Sequence, residues 1–539
     1  MADQPLLDRL VGTLSPSWAA RRARARAITR AMSSLTGGRG GYRSARKNRL
    51  NDSWMPLSHS ADTAILYDLE ELRRKSRDLV RNNAYAQVIG AIADHVVGSG
   101  LRPYSRVRAD ALGIDSEQAE AFQNAAEDVF DVWSPVADVR GQLSFGQLQR
   151  LAYRTMLEDG EAFVRRVQLP ESVMTAHGLP FSTAYEMVDA DRVCSPNRRV
   201  VSRLPNGHTM RLGVEVNGFG RPVFYWVLKD HPAERQSLSR SADAFVRVPA
   251  KEINHLYRPI RPGQTRGVPH LSPDLDTFYQ LDELFKFELV TAQVVACHSL
   301  FITKKNADDY GPGLPGETTS DGDREQYVEP GLVTYLGEGE EPHNFNPNRP
   351  GNTFPPFVHI LLQKLAAGTS VTYEHISRDF SKANFSSGRL AQQMARKFFG
   401  GEQELVKLRV AQPAWRDVQR EAYLAERLMP ARRHQITDQN EALYLHAGWS
   451  GPGYGYVDPV KEITAAGMAV DLNLSTLADE CAAVGKDWRE VIDQRAKEIK
   501  YAERRGVEMR SVSTIAQVNV NAGEDEPTTR DEESIREAA

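Results

Sequence analysis

The chain has 539 residues, of which 41% are hydrophobic and 26% charged, so it has the composition of a globular protein and is too long for one ordinary core. We expect roughly two to four regions, at about 100 to 200 residues per domain. The net charge of -4 hides an asymmetry, because residues 9–51 carry eleven Arg or Lys and no acid, whereas residues 524–539 carry seven acids and two Arg. Segments of this kind remain mobile or bind something of opposite charge.

The cysteines and the hydropathy argue against several classes of protein. Cys194, Cys297 and Cys481 are widely separated and form no C-x-x-C pair, which argues against a disulfide framework or a zinc cluster and fits a reducing compartment. The most apolar run, Leu289–Ile302, falls short of the roughly 20 residues that span a bilayer. The N-terminus lacks the apolar core of a signal peptide. We therefore expect a cytosolic protein with no membrane partner.

The first elements are basic and then helical. Residues 1–55 combine a basic, helix-like piece with a Gly-rich one, and they either contact nucleic acid or an acidic partner or form a solvated tail. Asp62–Val97 predicts one helix, which a glycine-rich stop ends at Gly98. Ser116–Trp133 and Ser144–Glu158 predict two more amphipathic helices.

Strand patterns begin at Glu161. Four stretches alternate or are rich in β-branched and aromatic residues, namely AFVRRVQL, YEMVDADRV, RLGVEVNGFGRPVFYWVL and FVRVPAKEINHLYRPI. Asn217–Arg221 predicts a hairpin turn. Because the strands follow a run of helices and do not alternate with them as βαβ units, the predicted fold class is α+β.

Two helices then bracket an insertion. Pro273–Phe301 predicts a helix of roughly 43 Å with Ser272 as its N-cap, and its later turns are apolar on several sides, as in a helix packed along most of its length. The insertion, Thr303–Thr353, is acidic and rich in turn residues. Pro355 and Pro356 are predicted to open the second helix and Gly368 to close it.

The next stretch, Ser370–Leu428, begins as a polar loop and continues from Ser386 as a long amphipathic helix. Gly400 and Gly401 each cost about 1 kcal/mol relative to Ala in the middle of that helix, and Pro413 removes a backbone donor further on. We expect a bend at one or both places, with the glycine pair as a hinge.

The last part of the chain returns to helices. Residues 434–458 show no periodic pattern and are predicted to be irregular. Residues 459–505 predict at least two helices, and from about residue 511 onward the composition predicts disorder.

No stretch specifies an active site. The chain lacks a Walker phosphate loop and a G-x-S-x-G elbow, and its histidines are isolated. Asp189 and Asp191 can offer two carboxylates to a metal, as a nuclease requires. A polar turn between strands is the more ordinary interpretation, because no third carboxylate or His lies nearby in a recognisable pattern. We predict no catalytic residue, no metal site and no cofactor.

Several stretches, taken in order, resemble the lambda family of tailed-bacteriophage portal proteins. They are KSRDLVRNNAYAQ with VVGSGL, GVEVNGFGRPVFYWVLKDHP, VPAKEINHLYRPIRPGQTRGVP, PGLVTYLGEGEE, DFSKANFSSGR and YVDPVKEITAA. They span about residues 60 to 505, and the ordered set is specific although no single stretch is decisive.

The resemblance implies a portal fold with an α/β wing, two stem helices that bracket a small clip, a kinked tunnel helix and a helical crown. It divides the chain into a basic flexible arm (1–58), the wing (59–268), stem helix 1 (269–301), the clip (302–353), stem helix 2 (354–367), a tunnel loop (368–386), the kinked tunnel helix (387–430), a wing/crown connection (431–458), crown helices (459–508) and a disordered acidic tail (509–539).

The resemblance also implies a function without catalysis. Copies of the chain, usually twelve, would form a closed ring at one capsid vertex of the virion, after assembly in the host cytoplasm. Double-stranded viral DNA would be packaged and ejected through the channel of the ring. The implied partners are the other copies, the terminase large subunit, the major capsid and scaffold proteins, and head-tail connector proteins.

Two sets of residues are candidates for these contacts. A channel must hold phosphates weakly, and a loop that mixes cations with small polar and acidic residues has that character. The candidates in the tunnel are Arg378, Lys382, Asn384, Ser386 and Arg389. The candidates in the clip, for terminase and connector proteins, are Asp321, Asp323, Glu338, Glu340 and Glu341. For each loop residue the alternative is a structural role, and for the whole chain it is a packaging-associated, metal-dependent nuclease using Asp189 and Asp191.

Overall fold

The computed structural model describes residues 56–196, 201–234, 244–297, 301–304, 317–318, 324–325, 340–343, 351–381, 385–429, 435–453 and 459–507. The chain divides into two compact units, Met1–Ser60 and Ala61–Ala539, and every element below lies in the second. The predictions for the basic arm up to residue 55 and for the tail after residue 507 lie outside the described residues.

The helices follow the chain in this order: α1 (Ala61–Ile65), α2 (Leu69–Asn82), α3 (Tyr85–Val96), α4 (Ala109–Leu112), α5 (Ser116–Trp133), α6 (Phe145–Asp159), α7 (Glu171–His177), α8 (Leu275–Cys297), α9 (Phe354–Thr369), α10 (Tyr373–Ser377), α11 (Phe385–Val406), α12 (Gln412–Leu424), α13 (Glu441–Tyr444), α14 (Pro459–Asp471), α15 (Leu477–Ala483) and α16 (Trp488–Arg505). A π-helical turn, Lys407–Ala411, joins α11 to α12.

The strands are β1 (Arg102–Ser105), β2 (Glu161–Gln168), β3 (Thr183–Val188), β4 (Val201–Arg203), β5 (Thr209–Arg211), β6 (Val214–Val216), β7 (Pro222–Leu228), β8 (Phe245–Pro249), β9 (Ile253–Tyr257), β10 (Phe301–Lys304), β11 (Glu317–Thr318), β12 (Arg324–Glu325), β13 (Glu340–His343) and β14 (Ala447–Ser450). They pair in the orders β3-β2-β9, β4-β5-β6-β7-β8, β1-β14, β10-β13 and β11-β12. The mixed helix and sheet class is as predicted.

A helical layer packed on the sheet β3-β2-β9 forms the body of the molecule. The capping box of Ser144 and Gln147 opens α6 where the sequence predicts the helix to begin. Phe130 of α5 lies 5.2 Å from Trp415 of α12, ring centroid to ring centroid, and both side chains are buried. The end of the long α11–α12 segment therefore lies in the same core as the first helices.

The strands β4 to β8 form a meander on the other side of β2. The turn between β6 and β7 is the predicted hairpin, in which the Asn217 N–H donates to the Arg221 carbonyl at 3.0 Å. The Asn217 side chain also accepts from the Phe219 N–H at 3.0 Å, which fixes the tip. Phe163 of β2 and Tyr225 of β7 belong to an apolar cluster that is separate from the main core and that joins the two sheets.

The helices α8 and α9 form a pair that runs in opposite directions. Phe285 contacts Phe354 edge to face at 5.8 Å, whereas the Lys364 ammonium donates to the Thr277 hydroxyl at 3.2 Å. At the body end, residues such as Leu281 and Leu365 are buried in the main core. The pair is therefore anchored at one end.

The start of α8 differs from the prediction. The first helical hydrogen bond runs from the Phe278 N–H to the Asp274 carbonyl at 3.0 Å, so the helix begins at Leu275 and not at Pro273. The Ser272 hydroxyl, predicted as the cap, donates instead to the Pro269 carbonyl. Because the Ser272 side chain is bonded within the preceding turn, it does not cap the helix.

Gly368 does not close the second helix, which continues to Thr369 and ends where Ser370 adopts a left-handed conformation with φ of 61°. A Cβ atom on Gly368 would lie 1.9 Å from the Asp274 Oδ2. The glycine therefore leaves room for the buried Asp274 carboxylate at the point where the end of α9 meets the start of α8.

The glycine pair Gly400 and Gly401 does not interrupt α11, which runs through both residues as an α-helix, and a hinge at this pair stays a prediction. Their neighbours explain this. Phe399 and Glu402 are 2% and 7% exposed, so packing on both sides of the glycine pair holds the helix in place. Tertiary contacts here outweigh an unfavourable intrinsic propensity.

The helix departs from α-helical hydrogen bonding near Pro413, the second of the two places where a bend was predicted. The π turn Lys407–Ala411 ends two positions before Pro413, which is the second residue of α12. Proline has no N–H and its ring clashes with the carbonyl four residues earlier, and a wider turn accommodates both effects.

Two further predictions need correction. Asp62–Val97 is not one helix, because the chain becomes extended at Asn83, whose side chain accepts from the Tyr85 N–H at 3.0 Å. Residues 434–458 are not wholly irregular, since they contain α13 and β14, and β14 pairs with β1 in an antiparallel register that places Ser450 opposite Arg102. A four-residue strand is too short for periodicity to show.

The helices predicted for residues 459–505 are confirmed as α14, α15 and α16. Asp487 caps α16 by accepting from the Arg489 N–H at 2.7 Å, and Gly506 ends it in a left-handed conformation. No residue of α14 or α16 is buried in the single chain.

Candidate functional site

The outer side of the α8/α9 pair is an apolar surface. Beyond Leu284 the large side chains of α8 leave the core, and Phe287 and Leu289 are 66% and 61% exposed. The exposed apolar residues of the pair are Tyr279, Phe285, Phe287, Leu289, Val290, Phe357 and Ile360. Single exposed apolar residues are ordinary, but a row along two paired helices marks an interaction surface.

A polar network ties the base of this pair to the body. Glu402 of α11 accepts from the Tyr153 hydroxyl at 3.0 Å and from the Arg258 Nε at 3.1 Å. Arg258 also donates through Nη1 to the His270 Nδ1 at 2.6 Å. The His270 Nε2 then faces the Thr369 carbonyl at 3.3 Å. One set of bonds therefore connects α6, the residue that follows β9, α11 and the end of α9.

These contacts fix the protonation of His270. Because Arg258 can only donate, Nδ1 of His270 is an acceptor, and the ring carries its proton on Nε2 and donates it to Thr369. Burial, together with the Arg258 charge, lowers the pKa of His270 to about 4. The ring is neutral near pH 7.

The polar loop after α9 is held by its own side chains. The Ser377 hydroxyl donates to the Tyr373 carbonyl at 2.9 Å, and the Asp379 carboxylate accepts from the Ser381 N–H at 2.9 Å. Arg378, a channel candidate, has a left-handed backbone with φ of 55°, is exposed, and donates to the Gln87 side chain of α3 at 3.3 Å. The loop thus presents an exposed cation from a locally ordered turn.

The other channel candidates lie at the end of this loop and the start of α11. Lys382 and Asn384 fall outside the described residues, and Ser386 lies in the first turn of α11. Arg389 is exposed and lines a groove between α11 and α14. Arg378 and Arg389 therefore have different surroundings.

The acidic candidates of the insertion are described only in part. Asp321, Asp323 and Glu338 lie outside the described residues, as does the strand-like GLVTYL stretch. Glu340 and Glu341 open β13, whose antiparallel register places them opposite Lys304 and Thr303 of β10.

Asp189 and Asp191, the candidate metal ligands, lie close to His231, with one ligand atom from each of the three side chains within 4.8 Å of the others. The histidine supplies the third group that the sequence pattern lacked. Arg77 nevertheless contacts both carboxylates, through Nη1 at 2.6 Å from the Asp191 Oδ2 and through Nη2 at 3.3 Å from the Asp189 Oδ1. Arg73 adds a contact to the Asp191 Oδ1 at 3.3 Å.

The charges of this cluster favour an ion-pair network over a metal centre. Burial raises the pKa of Asp191, but Arg77 and Arg73 outweigh it and leave that pKa below its usual value. Glu161, fully buried next to the cluster, pairs with Arg73, Arg266 and His255. Since arginine cations already contact the carboxylate oxygens that a metal would need, the polar-turn interpretation fits the geometry better.

Two cations of the groove were not predicted from the sequence. Arg396 of α11 and Lys461 of α14 line the same groove as Arg389. The spacing of Arg389 and Arg396 by seven residues was a usable signal, because it places both on one helix face. Lys461 joins them only through tertiary structure.

The chain is similar in sequence to known phage proteins. No helix in the described ranges is long and apolar enough to cross a membrane. The sequence is 27% identical over 478 residues to portal protein B of Escherichia phage lambda, covering 83% of this chain and 86% of that protein. It is 26% identical over 479 residues to the portal protein of Escherichia phage N15, covering 83% and 87%.

Among solved structures, a chain from the neck of a native gene transfer agent (GTA) particle computed with C12 symmetry is similar at a TM-score of 0.41 and 12% identity, covering 78% of this chain and 93% of that chain. A TM-score below 0.5 is only a loose overall similarity. The sequence model of the family described as phage portal protein, lambda family, matches residues 47–403, about two thirds of the chain. The chain therefore belongs to the lambda family of phage portal proteins.

Proposed function

We propose that copies of this chain form a closed ring at one vertex of a phage capsid, and that the ring is the channel for DNA packaging and ejection. It would also be the docking platform for terminase and head-tail connector proteins. The chain would act without catalysis, as a structural component of the virion that is assembled in the host cytoplasm.

The apolar outer side of the α8/α9 pair carries this proposal. A ring that closes on itself uses heterologous contacts, so each copy needs two different faces that bury apolar surface. Exposed Phe287 and Leu289 on α8 and Phe357 on α9 supply such surface on both helices of the pair. Twelve copies is the number expected for the family.

The regions of a portal are assigned as proposals to the observed elements. The wing comprises the body from α1 to β9, the stem comprises α8 and α9, and the clip is the insertion between them. The loop with α10 is the tunnel loop, α11 to α12 is the tunnel helix with its π turn, and α14 to α16 form the crown.

The DNA channel is assigned to the tunnel loop and the start of α11. Arg378 and Arg389 are exposed, and they alternate with acidic and small polar residues. Since each neutralised phosphate adds salt-dependent affinity, a few separated cations allow DNA to slide where a dense cluster would hold it. Lys382, Asn384 and Ser386 complete the proposed contact set.

The clip is assigned to terminase and connector docking through Asp321, Asp323, Glu338, Glu340 and Glu341, and the wing to capsid and scaffold proteins. Antiparallel pairing of β10 with β13 supports a small module that projects from the helical pair. Acidic side chains on such a module favour a basic partner surface.

A substitution on the helical pair tests ring formation. Phe287→Asp with Leu289→Asp places two charges on the apolar surface, so we expect folded monomers in place of rings, measured by native mass spectrometry and circular dichroism. The matched control, Phe287→Leu with Leu289→Met, keeps the surface apolar and should still assemble. Normal rings from the Asp variant would contradict the assignment.

The competing nuclease function depends on Asp189, Asp191 and His231, because in the part of the chain that the structure describes these are the groups that lie close enough to share a metal. Asp189→Asn with Asp191→Asn would abolish magnesium-dependent DNA cleavage by a nuclease. We expect purified rings to leave duplex DNA intact with or without this change. Cleavage that the double substitution removes would favour the nuclease.

A further inference from the structure

A groove of about 610 Å³ lies between α11 and the pair α14/α15. The wall formed by α11 carries only arginine and glutamine side chains, namely Arg389, Gln392, Gln393, Arg396 and Gln403. Their spacing of three, four and seven residues places them on one helix face. A wall that offers guanidinium and amide donors and no carboxylate suits an acidic ligand.

The opposite wall is formed by small side chains. Its alanines are Ala465, Ala466, Ala469, Ala482 and Ala483. Such a wall leaves room for the backbone of an extended segment. Lys461 adds a third cation, while Glu462 and Glu480 place the two carboxylates of the groove on this side. An acidic ligand would therefore lie against α11, away from those carboxylates.

The chain packs tightly at the Gln403 end of the groove. A Cβ atom on Gly451 would lie 2.6 Å from the Gln403 Nε2, and one on Gly453 would lie 2.0 Å from the Val484 carbonyl oxygen. Gln403 is fourteen positions after Arg389, which corresponds to roughly 21 Å along the helix. Arg389 and Arg396 therefore lie towards the other end of the groove, away from this tight packing.

The chain itself contains a segment of matching charge. Residues 524–539, the acidic segment, carry seven acids and two Arg. Eighteen positions separate Gly506 from Glu524, a reach of up to roughly 60 Å when extended. That exceeds the roughly 27 Å length of α16, which starts five positions after the groove residue Ala483. The acidic segment can reach the groove whatever direction α16 takes.

We propose that the acidic segment docks on the α11 wall of this groove through Arg389 and Arg396. Several carboxylates on a short stretch can contact two guanidinium groups seven residues apart, which a single surface acid cannot do. The docking is independent of the proposed function. Its consequence rests on that function: if Arg389 faces the channel, the acidic segment competes with DNA phosphates for the same cation.

Photo-crosslinking in the full chain tests the docking. A photoreactive amino acid at Ile535 is expected to crosslink to peptides of α11 or α14, identified by mass spectrometry. Arg389→Ser with Arg396→Ser should reduce this crosslink at least fivefold, whereas Arg389→Lys with Arg396→Lys should retain most of it. The matched control, Lys500→Ser with Arg504→Ser, removes two exposed cations of α16 outside the groove and should leave it unchanged.

Two results would overturn the docking. One is a crosslink that maps to another surface, including α16 of a second copy. The other is a groove crosslink that survives the loss of both Arg389 and Arg396, because the guanidinium contacts would then play no part.

Duplex DNA affinity at constant salt separates this proposal from the proposed function. Replacing the seven acids by Asn or Gln should raise the affinity of assembled protein at least threefold, and should have no such effect when Arg389 and Arg396 are Ser. If the crosslinks form as expected and DNA affinity does not change, the docking stands and the placement of α11 in the channel is wrong.

Discussion

At the scale of single residues, long-range ion pairs determine how the polar groups of the body behave. Arg73 and Arg77 lie one turn apart on α2 and contact Asp191, which is more than one hundred positions away. The helix sequence LEELRRKSRDLVRN gives no sign of these contacts, because the pattern of an amphipathic helix does not distinguish a solvated arginine from a buried one. The cluster that resembles a metal site is thus occupied by its own cations.

His270 provides a pH-dependent prediction at this scale. Its pKa of about 4 in the folded chain lies below the roughly 6.5 of an unfolded histidine, so the unfolded state binds more protons between these values. The stability that the neutral ring contributes is present above about pH 6.5 and is lost as the pH falls through about 4.

His270→Gln keeps an acceptor for Arg258 and a donor for Thr369 but cannot titrate. We expect melting temperatures close to wild type at pH 7.5 and a relative gain over wild type at pH 4.5, equivalent to roughly 2 kcal/mol. His270→Phe, which deletes both hydrogen bonds, should melt lower at every pH. A difference between wild type and the Gln variant that stays constant from pH 7.5 to 4.5 would contradict the assigned protonation.

At the scale of elements, the glycines of α9 and α11 show that a glycine within a helix does not always end or break that helix. Local propensity predicts a break at Gly400 and Gly401 and a stop at Gly368, and neither occurs. Contacts distant in sequence decide both cases, since Phe399 packs in the core beside one site and Asp274 lies against the other.

Gly400→Ala with Gly401→Ala should stabilise the chain. Both residues have helical backbones, and a Cβ atom on either would meet nothing within 4 Å. We expect a gain of roughly 0.5 to 1 kcal/mol per site, with normal packaging yield, measured by thermal melting and by DNA content of particles. Gly368→Ala is the contrasting variant and should lose about 1 to 3 kcal/mol through the clash with Asp274. If the double Ala variant forms normal rings but packages DNA poorly, that result would support the predicted hinge at Gly400 and Gly401.

Elements bounded by strong local signals were predicted well. The capping box at Ser144 and the hairpin at Asn217 specify their own ends through contacts within a few residues. The paired strands β1 and β14 were not predicted as a pair, because the partners lie more than three hundred positions apart. The π turn before Pro413 lies between these cases, since proline signals a disturbance without specifying its form.

At the scale of the whole molecule, the exposed surface is informative because a single copy leaves much apolar area uncovered. The sequence indicated that the later turns of α8 pack against other helices, yet in one chain Phe287, Leu289 and Val290 remain exposed. Periodicity reports that a residue is apolar and does not say which molecule covers it. Neighbouring copies are the proposed cover.

The proposed DNA contacts give a prediction at this scale. Lys382→Ala with Arg389→Ala should leave assembled rings intact and reduce DNA packaging at least threefold, because two phosphate contacts in each copy are lost. DNA content of particles and ring yield are measured together. Lys497→Ala with Lys500→Ala, two exposed cations of α16, is the control and should package normally. Normal packaging by the first variant would rule out a DNA-facing role for this pair.

Electron micrographs of the purified full chain test the central claim most directly. The account predicts closed rings with a central channel in end-on views and a constant subunit count, expected to be twelve. A protein that stays monomeric at micromolar concentration, or that forms open filaments in place of closed rings, would contradict it.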